Sequence, residues 1–275
     1  MATSQGRVEV RGLSVAYRSA GSGPPLVLLH GFLCDSRVWR VELETLSDAF
    51  RIVAWDAPGA GDSSDPPESF TISDWADCLA AFLDAVDVER GHVLGLSWGG
   101  LLAQILYQRH PARVVSLVLA DTYMGWKGSF GEEVAQQRLA RCSRESSLPA
   151  HEFVRTWVPT EFFSDAPSEL RDEMGSVVSE FHPRGFQLMA QTLAETDTTD
   201  LLRTIDVPTL LLWGEGDQRS PPEIAERFHA AIPGSELVVI PSAGHVSNME
   251  RPEEFAAHVR RFCLANQALW RKKKR

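Results

Sequence analysis

Short runs of consecutive apolar residues recur along this chain, separated by longer stretches in which apolar residues return every three or four positions. The first pattern is that of strands covered on both faces, the second that of helices with one buried stripe. Leu26-Val27-Leu28-Leu29, Ile52-Val53-Ala54-Trp55, Val114-Val115-Ser116-Leu117-Val118-Leu119-Ala120, Val207-Pro208-Thr209-Leu210-Leu211-Leu212-Trp213 and Leu237-Val238-Val239-Ile240 are the clearest runs. Val8-Glu9-Val10 and Leu13-Ser14-Val15-Ala16-Tyr17 alternate instead about Arg11-Gly12, which predicts a hairpin of two short strands at a sheet edge. Thr71 with Asp74 three residues on is an acidic capping box, and Ile72, Trp75, Leu79, Phe82, Leu83 and Val86 line one helical face after it. Further helices are predicted from near Ser36, from near Pro221-Pro222 and from Pro252, the last presenting Phe255, Val259 and Phe262. Strands and helices in alternation predict an α/β fold, a mostly parallel sheet with helices on both faces.

The alternation lapses between residues 122 and 201. Charged helical stretches rich in Glu, Arg and Gln replace it, broken by Pro149, Pro159, Pro167 and Pro183. The expected organisation is therefore a core formed by 1–121 and 202–265, an inserted helical cap over 122–201, and a C-terminal tail over 266–275 that ends in the basic run Arg271-Lys272-Lys273-Lys274-Arg275. Aromatic residues of the insert, among them Trp126, Trp157 and Phe186, are packing residues by default. They line a pocket only if the insert lies over the chemistry of the core.

That chemistry centres on Val93-Leu94-Gly95-Leu96-Ser97-Trp98-Gly99-Gly100, followed by Leu101, Leu102, Ile105 and Leu106 at helical spacing. Strand, sharp turn and helix in this order form a nucleophile elbow. The serine takes a strained backbone conformation, and Gly95 and Gly99 let strand and helix approach each other. A serine hydroxyl is a poor nucleophile at neutral pH, so Ser97 needs a base, and the base needs a group to fix its tautomer. Asp217 and His245, like Ser97, each follow a predicted parallel strand, so all three are expected at the same carboxyl edge of the sheet. A lone Asp after Gly216 or a lone His in a Gly-His loop is an ordinary turn residue. It is their joint placement, in the chain order Ser, Asp, His, that singles them out. The expected oxyanion donors are the backbone N–H groups of Trp98 and of Phe32, in the loop after Leu29. Asp121, also at a strand end, is the alternative acid, and His30 is expected to brace the Phe32 loop through hydrogen bonds.

Composition narrows the partners. The chain has 275 residues, 44% of them hydrophobic, and a formal net charge of −10. An acidic balance argues against nucleic acid or an anionic membrane as partner. The cysteines Cys34, Cys78, Cys142 and Cys263 are scattered, and no His cluster stands at metal-ligand spacing. With neither an apolar signal core at the N-terminus nor a run as long as a membrane span, the chain is expected to be cytoplasmic and to act on a small molecule.

Taken together, Leu28-Leu29-His30-Gly31-Phe32, Asp56-Ala57-Pro58-Gly59-Ala60-Gly61-Asp62-Ser63, Gly95-Leu96-Ser97-Trp98-Gly99-Gly100, Gly214-Glu215-Gly216-Asp217 and Ala243-Gly244-His245 resemble the α/β-hydrolase superfamily. The resemblance runs from about Leu13 to about Phe262 and implies an eight-stranded sheet, a cap inserted after the sixth strand, and no metal or organic cofactor. The stretch from His245 to Phe255 is similar to 3-oxoadipate enol-lactonases and related carboxylesterases, whereas the elbow is similar to intracellular polyhydroxyalkanoate depolymerases. Epoxide hydrolases and haloalkane dehalogenases of this fold attack with a carboxylate where Ser97 stands. The implied activity is a serine hydrolase cleaving an ester or lactone through an acyl-enzyme, with Ser97, His245 and Asp217 as triad. The alternatives are a carbon–carbon hydrolase of the meta-cleavage product type, which the same triad supports, and a receptor-like member with little turnover.

Overall fold

The computed structural model describes residues 2–163 and 166–271. Of the basic tail, Lys272 to Arg275 lie outside the described residues, and the backbone of Arg271 ends a short helix, Gln267–Arg271. Eight strands form one sheet: β1 (Ser4–Val10), β2 (Leu13–Ala20), β3 (Pro25–Leu29), β4 (Arg51–Trp55), β5 (Gly91–Leu96), β6 (Val114–Ala120), β7 (Thr209–Gly214) and β8 (Glu236–Ile240). Their order across the sheet is β1-β2-β4-β3-β5-β6-β7-β8. The first two pairings, β1 with β2 and β2 with β4, are antiparallel, and the remaining five are parallel.

The central strands β3, β5, β6 and β7 are buried at every residue, as continuous apolar runs between two helical layers must be. The hairpin is the predicted edge but longer than its alternating residues suggested, because Ser4 to Arg7 pair with Ala16 to Ser19 through backbone bonds that need no apolar side chains. The Thr71 capping box forms, with the Thr71 hydroxyl accepting from the Asp74 N–H and the Asp74 carboxylate from the Thr71 N–H. The helix expected near Ser36 begins as a 3₁₀ turn, Ser36–Trp39, capped by Asp35, and becomes α-helical only over Arg40–Thr45. Strand β7 starts at Thr209 rather than Val207, since Pro208 has no N–H to offer the ladder and contributes only its carbonyl, to Leu117.

Between β6 and β7 the described residues are helical, with Gly125–Phe130, Glu132–Glu145, Ala150–Trp157, Ser168–Ser179, Pro183–Glu195 and Thr199–Leu202 as the α-helices. Among the described residues no helix is long and apolar enough to cross a membrane.

The strand order fixes where chemistry can sit. From β3 the chain steps to β4 on one side and then to β5 on the other, so β3 and β5 flank the switch point at which their following loops diverge. Open α/β sheets place their ligand sites at the carboxyl ends of the strands at such a point. His30-Gly31-Phe32 leaves β3 at that point and Ser97 leaves β5.

Candidate active site

Ser97 stands between the last residue of β5 and the helix Trp98–Arg109, at φ 54° and ψ −117°. A non-glycine residue in that region carries about 1–3 kcal/mol of strain and persists only where its surroundings impose it. Here the Ser97 N–H donates to Ala120 O at 2.9 Å, and the Thr122 hydroxyl donates to Ser97 O at 2.5 Å. A Cβ on Gly95 would overlap the Gly99 carbonyl, so strand and helix approach as closely as they do only because that position is glycine.

The Ser97 hydroxyl lies 2.9 Å from His245 Nε2, and His245 Nδ1 lies 2.8 Å from Asp217 Oδ2. The second contact fixes the tautomer. The carboxylate accepts from Nδ1–H, leaving Nε2 to accept from the serine. Asp217 Oδ1 in turn accepts from the N–H groups of Arg219 and Ser220, at 2.8 and 2.9 Å. All three side chains are buried.

Asp121 is brought to the same edge but not to the imidazole. Its Oδ1 accepts from Gly214 N–H at 2.8 Å, and its Oδ2 accepts from the Ser247 hydroxyl at 2.5 Å. Burial, reinforced by the nearby charge of Asp217, pushes its carboxyl well above the usual carboxylate range. It joins the end of β7 to the turn after His245.

The Phe32 loop is braced as expected. His30 Nε2 accepts from Ala57 N–H at 2.9 Å while Nδ1 donates to Gly31 O at 2.7 Å, a pattern only the neutral ring can make. Burial lowers the His30 pKa and favours that form. A Cβ built on Gly31 would lie 3.3 Å from the Ser97 Cβ, so this loop passes directly beside the elbow. Trp98 opens its helix, and the first intrahelical bonds there run from Gly100 and Leu101 to Ser97 O, leaving the Trp98 N–H without a helical acceptor. Its indole N–H reaches Thr192 in the helix Pro183–Glu195 at 3.0 Å, tying the elbow to the insert.

Several residues carry the site that local sequence did not single out. The backbone carbonyl of Glu161, in the insert, accepts from His245 N–H at 2.8 Å. Its carboxylate pairs with Arg219, two residues after Asp217, and this ion pair is largely buried. Glu250 accepts from Gly244 N–H at 2.6 Å and from Phe163 N–H at 2.8 Å, clamping the loop before His245 to the insert. The Tyr123 ring lies 5.9 Å from that of His245, and burial pushes its phenol up to about 12, so it remains protonated. No sequence pattern marks Glu161 or Arg219, which meet across 58 residues. Glu250 carried a weak signal, since it falls within the stretch from His245 to Phe255. No group of three or more His, Cys, Asp or Glu suited to a metal occurs among the described residues.

An eight-stranded α/β sheet with a strained serine, a histidine and an aspartate aligned at its carboxyl edge defines a class of protein before any comparison is made. Residues 24–252 match the family model for the alpha/beta hydrolase fold, and the chain belongs to that family. The match, together with the enol-lactonase and esterase relatives that follow, supports a hydrolase activity. It is 30% identical over 259 residues to a dihydrolipoyllysine-residue acetyltransferase component of an acetoin cleaving system from Cupriavidus necator, covering 90% of this chain and 66% of that protein's length. It is 26% identical over 234 residues to 3-oxoadipate enol-lactonase 2 of Acinetobacter baylyi, covering 84% and 85% of the two chains. Among solved structures, a thermophilic esterase from Thermogutta terrifontis superposes with a TM-score of 0.88 at 28% identity, over 96% of this chain and 99% of that one.

Proposed function

We propose that this protein is a serine hydrolase that cleaves a carboxylic ester or lactone of a small, partly apolar molecule through an acyl-enzyme. The observation that carries the reading is the continuous chain of two hydrogen bonds from Ser97 Oγ through His245 to Asp217, at 2.9 and 2.8 Å. His245 Nε2 takes the hydroxyl proton as Ser97 Oγ attacks the carbonyl carbon. Asp217 holds the ring and stabilises the imidazolium that forms. The N–H groups of Phe32 and Trp98 receive the oxyanion. Collapse of the tetrahedral intermediate expels the alcohol, protonated by His245, and water attacks the acyl-serine by the same route in reverse.

In this reading residues 122–201 act as a cap over the site, with 1–121 and 202–265 as the catalytic core. Three contacts support it, each running from the insert to a residue of the site: Glu161 to His245, Glu161 to Arg219, and Thr192 to Trp98. The four cysteines are buried and unpaired, which suits a reducing compartment such as the cytoplasm.

The test is the initial rate of hydrolysis across nitrophenyl esters of short and long acyl chains and one simple lactone, with Ser97→Ala as the blank. The expected result is turnover ranked by acyl length and lowered on the order of 10⁴- to 10⁶-fold in the variant. Residual activity within about tenfold of the native protein would remove Ser97 from the mechanism. Turnover of a vinylogous diketone faster than of any ester would move the reaction to carbon–carbon cleavage.

A further inference from the structure

The first turn of the helix Pro183–Glu195 lies backbone to backbone on the loop after β4. A Cβ on Gly185 would overlap the Gly59 carbonyl, so the two segments touch where neither has a side chain to pack. A polar tie stands beside that contact. His182, the residue before the helix, places Nδ1 2.6 Å from Asp65 Oδ1 and Nε2 3.0 Å from the Gly61 carbonyl oxygen. A carboxylate and a carbonyl only accept, so both ring nitrogens must donate, and a neutral imidazole has one N–H to give. The arrangement is complete only with the imidazolium. His30 shows the opposite pattern, accepting from Ala57 at one nitrogen while donating at the other.

The tie reaches the proposed oxyanion loop in two steps. The His182 carbonyl accepts from the Phe186 N–H at 2.9 Å, the bond that opens the helix. The Phe186 ring in turn stacks on that of Phe32, with centroids 5.0 Å apart and planes 15° from parallel. Further along the same helix, Thr192 accepts from the Trp98 indole, so this one helix touches both residues whose N–H groups are proposed to receive the oxyanion. The other charged groups near His182 are engaged elsewhere. Asp35 and Glu180 line the same narrow cleft, and both pair with Arg37, at 2.6 and 2.9 Å. Arg184 stands 3.5 Å from Glu68. In the loop after β4, Asp56 accepts from the N–H groups of Ser36 and Asp62, and Asp62 lines a separate hollow with Arg7 and Arg18. Cys34 shares the cleft, but burial pushes its thiol well above the ordinary range. Asp65 is therefore the charge that His182 meets directly.

We propose that His182, in its doubly protonated form, is a positioning residue for the oxyanion site: it clamps the start of the helix Pro183–Glu195 to the loop after β4 and, through Phe186, holds Phe32 in place. This rests on the serine-hydrolase reading for what Phe32 does, though not for the clamp itself. When the ring releases its proton to solvent, one of the two bonds is lost, and with it the attraction between imidazolium and carboxylate. The clamp is therefore complete at low pH and weakens as pH rises through the titration of the ring. Both side chains are partly exposed, so solvent screens the pair, and the expected effect is a few-fold change rather than a loss of activity.

One conservative variant separates this role from a merely structural one. In Asp65→Asn the side-chain amide can donate to Nδ1 of a neutral ring while Nε2–H still donates to Gly61, so the clamp no longer needs the second proton. The clamp is measured first, in the Ser97→Ala protein so that no turnover intervenes. The His182 ring is titrated by NMR across the histidine range, about pH 5 to 8, alongside amide hydrogen exchange of Phe186 corrected for its intrinsic pH dependence. Exchange is expected to rise about threefold as the ring loses its proton, and to stay level once Asp65→Asn is added. Exchange that ignores the titration of the ring, or that rises equally with and without Asp65→Asn, overturns the proposal. Hydrolysis of one ester then gives the ratio of native to Asp65→Asn kcat, in which the protonation of His245 cancels. That ratio is expected to fall about threefold over the same titration with KM unchanged, whereas the ratio of His182→Gln, whose side chain cannot titrate, to Asp65→Asn stays flat. Serine-dependent turnover with a flat native ratio refutes the positioning role and leaves the hydrolase. Exchange that follows the ring with no serine-dependent turnover refutes the hydrolase and leaves the clamp.

Discussion

The carboxyl edge of the sheet and the helical insert beside it treat buried polar groups in opposite ways. At the edge every carboxylate oxygen is occupied. Asp217 accepts from two backbone N–H groups and from His245, and Asp121 accepts from Gly214 and Ser247. In the insert, the buried indole N–H groups of Trp126 and Trp157 have no acceptor among the described residues. A saturated cluster is held in one geometry before substrate arrives, as general base catalysis requires. The difference supports the edge as the place of the proposed chemistry.

The two aspartates sharpen that comparison most. Asp217→Asn should lower kcat by about 10³- to 10⁴-fold, because an amide in that position no longer holds the Nδ1–H tautomer. Asp121→Asn should lower it by less than about tenfold. Burial already pushes the Asp121 carboxyl toward its neutral form, which an amide imitates, and Asp121 does not touch the imidazole. Steady-state kinetics of the two variants on one ester decide the matter. A larger loss for Asp121→Asn would reverse the assignment of the acid.

Glu42 offers a third way of burying a carboxyl. It lies in the helix Arg40–Thr45, fully buried, with no cation in ion-pair distance among the described residues, and burial raises its pKa from 4.5 to about 8. Below about pH 4.5 the group is protonated in both the folded and the unfolded chain. Between about 4.5 and about 8 only the unfolded chain releases its proton, so stability should fall with rising pH by up to about 1.4 kcal/mol per unit. Glu42→Gln should flatten that decline, read as the difference in denaturant midpoint between pH 5 and pH 8. An equal decline in both proteins would mean that Glu42 is ionised in the fold.

The smallest effect concerns the link between the two regions. Thr192→Val removes the acceptor of the Trp98 indole N–H, and the unpaired donor should cost about 1–3 kcal/mol in unfolding free energy. A stability unchanged to within about 0.5 kcal/mol would show that the elbow does not depend on the insert for that contact.

The part of this site that local pattern could reveal is the part built by local pattern. Ser97 is marked by the strand before it, the helix after it and the glycines between them, and the same residues create its strained backbone. Asp217 and His245 were legible because strand ends converge wherever a parallel sheet brings them. Asp121 shares that mark. It stood second to Asp217 as the alternative acid, and what distinguishes the two in the fold is which carboxylate meets the ring, a matter of packing across the sheet edge. The contacts between the insert and the loop after β7 were least legible. Arg138, Glu161 and Arg219 come from separate segments with no shared period, and the buried pair Arg219 and Glu161 forms only once the insert folds back over the loop after β7. Trp126 and Trp157 were visible as aromatic residues of the insert, but nothing in the sequence says that their N–H groups lack acceptors.

The central claim is that Ser97 is the nucleophile, and covalent labelling tests it most directly. The native protein is treated with a fluorophosphonate, digested, and the modified peptide identified by mass spectrometry, with ester hydrolysis followed in parallel. The account predicts one label per chain, on Ser97, with activity lost in proportion and no labelling in Ser97→Ala. A label on another residue, or hydrolysis that persists once Ser97 is fully modified, would contradict it.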